Sequence, residues 1–141
     1  LARAVVPGMT ERNWGRILFI TSSAVKQPIP ALVLSNSLRA AVTAMAKTLA
    51  GQVAKHGITV NCVAPGRIFT DRVRFLDGEA AKASGRSMED IQAEQGTRIP
   101  VGRYGEPREF GEAVAFLAGQ HASYITGSTL AVDGGAISSL L

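Results

Sequence analysis

Three short apolar runs, separated by longer stretches, place the strongest constraint on the fold of this 141-residue chain. The runs are residues 16–21 (RILFIT), 58–63 (ITVNCV) and 128–132 (STLAV). Each is mainly apolar and rich in β-branched side chains, which is typical of buried strands in a parallel sheet. Parallel strands need crossover connections that cover the faces of the sheet, so the pattern predicts an α/β fold with flanking helices.

The stretches between the runs carry the helical pattern. Residues 34–55 predict a long amphipathic helix that ends before Gly57, and residues 107–118, which begin with proline, predict another. Residues 71–98 are polar, and we expect Gly78 and Gly85 to divide them into short helical pieces that form a mobile lid over a substrate site.

Turn-forming and polar residues follow each predicted strand. Ser22 follows the first run, Pro65 and Gly66 follow the second, and residues 133–135 (DGG) follow the third. Ligands of open parallel sheets bind beyond the carboxyl ends of the strands. We therefore expect the first two of these strand ends to face one crevice.

Composition narrows the class of protein. Apolar residues make up 46% of the chain and charged residues 18%, which fits one globular domain over residues 1–141 and excludes a disordered class. The net charge is +4, but the basic residues are scattered and not interleaved with aromatic ones, so no nucleic-acid partner is predicted. No run of about 18 apolar residues is present, and we predict a cytoplasmic protein with no membrane span.

Metal and thiol chemistry are not indicated. Cys62 stands alone within a predicted strand and has no partner at metal-ligand spacing, so we interpret it as a small core residue. His56 and His121 have no acid or nucleophile near them in the sequence, which favours helix-end or surface roles.

Several motifs, taken together, resemble the short-chain dehydrogenase/reductase family. They are residues 15–23 (GRILFITSS), 57–66 (GITVNCVAPG), 124–127 (YITG) and 132–135 (VDGG). The resemblance covers essentially the whole chain and is strongest with the 3-oxoacyl-carrier-protein reductases. It implies the later half of a Rossmann-like, doubly wound parallel sheet with flanking helices. The family's glycine-rich phosphate loop is not in these 141 residues, so we expect a carboxyl-terminal part of a dinucleotide-binding domain without its amino-terminal cofactor half.

The resemblance also implies where the catalytic residues lie. The family's serine falls on Ser22, its tyrosine position holds Ser35, and its lysine position holds Arg39. The segment from Arg39 to Asn61 keeps the family's spacing without a gap, so the two substitutions are not an alignment error.

These substitutions change the proton chemistry that the resemblance implies. A tyrosine beside an ammonium group is a suitable acid, whereas the hydroxyl of Ser35 is far less acidic and could at best order a water. Arg39 keeps a positive charge and can bind ribose hydroxyls, but it does not release a proton. Other interpretations remain: a strand-end turn for Ser22, a helix cap for Ser35 and Ser37, and a surface ion pair for Arg39.

The turn after the second strand is the other implied site. By resemblance, Pro65, Gly66, Ile68 and Thr70 hold the nicotinamide part of NAD or NADP, and the alternative is a plain turn. The two tyrosines, Tyr104 and Tyr124, are not at family catalytic positions, and we predict that they serve packing.

The sequence thus predicts an NAD(P)-dependent oxidoreductase acting on a small-molecule carbonyl or alcohol, with Ser22, Ser35 and Arg39 as an atypical catalytic set. The alternative is a catalytically inactive relative that serves as a binding or assembly subunit. An unpaired edge on the first strand and an apolar stripe on the 34–55 helix further predict a homo-oligomer formed through that helix, or association with the missing amino-terminal half.

Overall fold

The predicted runs form one parallel sheet in a computed structural model that describes residues 1–30 and 32–139. The strands are β1 (Gly15–Ile20), β2 (Ile58–Pro65) and β3 (Thr129–Val132), and they lie side by side in the order β1-β2-β3. The helices are α1 (Ala2–Glu11), α2 (Val33–Val53), α3 (Asp71–Ser84), α4 (Met88–Thr97) and α5 (Pro107–Ala118). Single 3-10 turns occur at Ser23–Val25, Ala54–His56 and Gln120–Ala122. The α/β prediction is confirmed.

The central strand, β2, is paired on both of its edges. Gly15 of β1 lies opposite Ile58, and Val132 of β3 lies opposite Pro65. Every residue of β2 except Pro65 is buried. Among the described residues, β1 pairs only with β2, which leaves its other edge open.

Helices cover both faces of the sheet. On one face, Ala46, Ala50 and Val53 of α2 pack on Ile58, Val60 and Cys62 of β2. On the other face, Leu117 of α5 and Ala122 pack on Val63. Small side chains let α2 approach the sheet closely, and Cys62 is a buried core residue, as predicted. Burial raises the pKa of the Cys62 thiol, which keeps it protonated.

The long helix begins earlier than the sequence indicated. Its first residue is Val33, and the preceding Leu32 makes no side-chain capping bond. Ser35 and Ser37 therefore lie inside the first two turns. A capping side chain accepts from free amides that follow it in the chain, whereas the free amides of α2 belong to its first residues, at or before Ser35. The capping interpretation is wrong. The Ser37 hydroxyl instead donates to the carbonyl oxygen of Val33 at 3.0 Å.

The polar stretch forms two helices. Thr70 and Ser87 cap α3 and α4, because their hydroxyl oxygens accept from the amides of Val73 and Asp90. Gly85, with φ +66°, ends α3 in the left-handed conformation that glycine adopts readily. Gly78 lies within α3 and does not interrupt it, so that part of the prediction is wrong.

No helix in the described part of the chain is both long enough and apolar enough to cross a membrane.

Replacement of Leu117 tests the packing of α5 on the sheet. Leu117 is 2% exposed. We expect Leu117→Ala to lower the free energy of unfolding by about 2–5 kcal/mol, because it removes buried methyl groups and leaves a cavity. Urea unfolding measures the loss. Leu76→Ala is the matched control, since Leu76 is 43% exposed and its truncation should cost much less; equal losses would contradict this packing.

Candidate functional site at the carboxyl end of the sheet

Ser22 lies directly beyond the end of β1. Its hydroxyl oxygen accepts from the amide of Ala24 at 3.1 Å and caps the 3-10 turn Ser23–Val25. The strand-end turn interpretation is therefore confirmed, but it does not exclude a ligand contact. A hydroxyl that accepts one bond can still donate its hydrogen to another oxygen.

Arg39 joins α2 to the same end of β1. Its Nη1 donates to the carbonyl oxygen of Ile20 at 2.9 Å, two residues before Ser22. The guanidinium is exposed, and within the described residues it forms no ion pair with a carboxylate, contrary to the surface-pair interpretation. A guanidinium has five N–H donors, so this one bond leaves others for a ligand.

Ser35 lies four residues before Arg39 on α2, and side chains at this spacing share one face of a helix. Ser35 is partly buried, and among residues 1–30 and 32–139 its hydroxyl has no hydrogen-bond partner. Asn36, which sequence reasoning did not single out, donates from Nδ2 to the carbonyl oxygen of Ile29 at 2.8 Å. This bond ties the loop before α2 to the first turn of the helix.

The turn after β2 is packed tightly against the end of β3. The amide of Gly66 donates to the carbonyl oxygen of Val132 at 3.0 Å. A Cβ at Gly66 would lie 2.6 Å from the Cβ of Asp133, so no larger residue fits without a shift. The glycine is thus required by packing between two strand ends, in addition to any approach to a ligand.

Ile68 and Thr70 continue this turn. The side chain of Ile68 is buried, and the backbone at Ile68 bridges Gly105: Phe69 N–H donates to the Gly105 oxygen at 2.8 Å, and Gly105 N–H donates to the Arg67 oxygen at 3.0 Å. Thr70 is exposed and caps the start of α3. The structure therefore brings Ser22, Arg39 and the 65–70 turn to one edge of the sheet, because neighbouring parallel strands end there together.

The loop beside this turn is fixed by charge. Arg103 donates from both Nη atoms to Glu109, each at 2.8 Å, and the Glu106 amide donates to Glu109 at 2.7 Å. These bonds, led by the one to Arg103, lower the pKa of Glu109 to about 2. The carboxylate also lies in the first turn of α5, where negative charge is favourable.

The two tyrosines differ in their surroundings. Tyr104 is buried, and its hydroxyl donates to Asp77 Oδ2 at 3.1 Å, so the packing prediction is confirmed for this residue. Burial raises the pKa of Tyr104, which makes it a poorer proton donor. Tyr124 is 101% exposed, so the prediction that it packs is wrong. Tyr124 follows the 3-10 turn Gln120–Ala122, and it is Ala122 of this turn that packs in the core.

One charged group of the site region was missed by the sequence analysis. Asp77 is fully buried on α3 and pairs with Arg67 of the turn. In the sequence it is one of many charged residues in a polar stretch, and no pattern marks it. The described residues contain no group of three or more His, Cys, Asp or Glu placed to hold a metal ion.

Comparison with known families gives a match over nearly the whole chain. Residues 1–137 match the family model described as "Enoyl-(Acyl carrier protein) reductase". The 3-oxoacyl-[acyl-carrier-protein] reductase FabG of Vibrio cholerae is 38% identical over 135 residues, which are 96% of this chain and 51% of that protein.

Solved structures agree in fold. YwfH, described as an NADPH-dependent reductase involved in bacilysin biosynthesis, superposes with a TM-score of 0.92 at 32% identity, over 99% of this chain and 53% of that one. The L-sorbose reductase of Gluconobacter frateurii, solved with NADPH and L-sorbose, gives 0.93 at 34% identity, over 99% and 54%. The chain thus spans about half the length of the relatives that it matches.

Substitution of Gly66 tests the contact between the two strand ends. We expect Gly66→Ala to lower the free energy of unfolding by about 1–3 kcal/mol, since the new methyl group overlaps Asp133. Gly111→Ala in α5 is the control, because nothing lies within 4 Å of its added Cβ and alanine favours a helix by about 0.5–1 kcal/mol. Thermal unfolding compares them; a neutral Gly66→Ala would show that the turn is looser than described.

Proposed function

Because the chain belongs to the short-chain dehydrogenase/reductase family, we propose that it forms the substrate and nicotinamide side of an NAD(P)-dependent oxidoreductase acting on a small-molecule carbonyl or alcohol. The observation that carries the proposal is the meeting of Ser22, Arg39 and the 65–70 turn at the carboxyl end of the sheet. Ligands of parallel sheets bind at that end.

The residues at this edge fit the nicotinamide-ribose part of such a cofactor. The exposed guanidinium of Arg39 keeps N–H donors for the ribose hydroxyls after its bond to Ile20. The 65–70 turn, with Pro65, Gly66, Ile68 and Thr70, offers backbone groups and the Thr70 hydroxyl at the end of the neighbouring strand. When bound, the nicotinamide would supply the hydride for the carbonyl carbon.

The remaining chemistry falls to the chain's own side chains. Ser22, whose oxygen already accepts from Ala24, would donate its hydrogen to the substrate oxygen and polarise the carbonyl. Ser35, whose side chain is much shorter than that of tyrosine, would hold a water that relays a proton from bulk solvent to the alkoxide. The charge of Arg39 would stabilise the developing alkoxide without itself giving up a proton.

A specific observation also favours the alternative, an inactive relative that serves as a binding or assembly subunit. The relay pair is replaced, and neither tyrosine of the chain is a substitute acid. Tyr104 is held in a buried hydrogen bond to Asp77, and Tyr124 is fully exposed in the loop before β3. Turnover by the full-length protein with NADPH and a panel of small ketones separates the two; binding without any turnover favours the alternative.

Restoring the relay is the direct test of the proposed active site. We expect Ser35→Tyr combined with Arg39→Lys to raise kcat for ketone reduction by roughly 10²-fold, since a positioned general acid contributes about 10²–10⁴. NADPH oxidation measures the rate. Ser37→Tyr with Arg39→Lys is the control, because it places the same tyrosine on a different face of α2. No gain in the first variant with NADPH binding retained would contradict the proposed roles of these positions.

We also propose that α2 packs against a second copy of the protein. Leu34, Leu38 and Met45 are exposed on this helix, and Met45 also lines an apolar groove of about 540 Å³ between α1 and α2. Exposed apolar patches of this kind mark interfaces. We expect the protein to sediment as a dimer or larger oligomer, and Leu38→Glu to shift it toward monomer. Lys82→Glu, on α3, is the control for the added negative charge; a monomeric unsubstituted protein would contradict the proposal.

A further inference from the structure

Asp77 is charged yet has no exposed surface. A buried carboxylate is strongly unfavourable unless its oxygens are paired. Neither the proposed reaction nor the hydrophobic core uses this residue. Its partners therefore indicate what the burial achieves.

Both carboxylate oxygens of Asp77 bind residues outside its own helix. Oδ1 pairs with Arg67 of the 65–70 turn, and Oδ2 accepts from the hydroxyl of Tyr104, at 3.1 Å, in the 102–105 loop. The Arg67 guanidinium also lies over the Tyr104 ring, with its central carbon 5.1 Å from the ring centroid. The turn, the helix that directly follows it and the distant 102–105 loop thus meet at one carboxylate.

The same segments are joined by their backbones. The two hydrogen bonds at Gly105 link the loop to Arg67 and Phe69. The Phe69 and Tyr104 rings lie 6.1 Å apart, and Arg74 of α3 lies over the Phe69 ring at 4.8 Å. Main-chain and side-chain contacts therefore connect the start of α3, the turn and the loop without a gap.

We propose that Asp77 is a positioning residue that locks α3, the 65–70 turn and the 102–105 loop into one unit, so that α3 cannot move away without releasing the turn. The interpretation of residues 71–98 as a lid and of the 65–70 turn as a nicotinamide site rests on the proposed function. The contacts around Asp77 do not depend on it. Where the turn binds a nicotinamide, its order would depend on Asp77, although Asp77 does not touch the ligand.

Hydrogen exchange on the full-length protein tests the lock. Tyr104→Phe removes one hydroxyl and keeps the ring, and Asp77→Asn removes the charge and keeps the shape. We expect both to speed exchange by about tenfold at the α3 amides and, in step, at the Phe69 and Gly105 amides. Glu79→Gln is the control, since it breaks an exposed pair with Lys82 on the same helix and should change exchange by less than about twofold.

Two exchange results would overturn the lock: no acceleration in Tyr104→Phe, or faster exchange in α3 with Phe69 and Gly105 unchanged. Because Tyr104→Phe is a mild change, it stays informative even if Asp77→Asn does not fold. Exchange along β1 and β2 should stay the same in both variants, which separates the lock from general destabilisation.

A ligand measurement separates this inference from the proposed function. In Tyr104→Phe we expect the Kd for NADPH, and its apparent KM if turnover is present, to rise several-fold with kcat within about twofold. An unchanged Kd beside accelerated exchange would overturn the positioning role. If the unsubstituted protein binds no NADPH, the proposed function fails, and the exchange data alone decide the lock.

Discussion

The pairing of β2 on both edges is the constraint on which the rest of this structure depends. A strand buried on both faces has no water for its backbone groups, so each must find a partner in a neighbouring strand. β1 and β3 supply those partners, and α2 and α5 cover the apolar side chains. Because all three strands run in one direction, the ends of β1 and β2 bring Ser22 and the Pro65 turn to the same edge.

Each contact that orders the proposed active site has at least one backbone partner. Arg39 reaches a carbonyl oxygen of β1, Ser22 accepts from an amide, and Gly66 donates to a carbonyl of β3. The contacts of Ser22 and Arg39 depend on their own side chains, whereas the hydroxyl of Ser35 makes no hydrogen bond within the described residues. The chain keeps the fold of its relatives with Ser35 and Arg39 at these positions, and under the proposed function what changes is the acidity available there.

The sequence was sufficient for the sheet and its flanking helices, because buried strands and an amphipathic helix have distinct periodicities. The roles of the site residues rest on the family resemblance and stay a prediction. The sequence was insufficient where the outcome depends on tertiary contacts. The first turn of α2, which begins at Val33, is joined to the preceding loop by the hydrogen bond from Asn36 to Ile29. Helix α3 continues through Gly78, and its neighbours Asp77 and Ala81 are buried. Neither feature leaves a pattern in the chain.

Asp77 and Arg39 show how differently two charges can act in one site. The exposed bond of Arg39 to Ile20 is screened by water, so its loss should cost little stability, about 0–1 kcal/mol, although it places a charge beside the proposed substrate. The buried carboxylate of Asp77 cannot lose a partner cheaply, because an unpaired charge would remain in the interior. Under the proposed function, stability and chemistry are therefore carried by different residues: Asp77 holds the turn, and Arg39 places its charge beside the substrate.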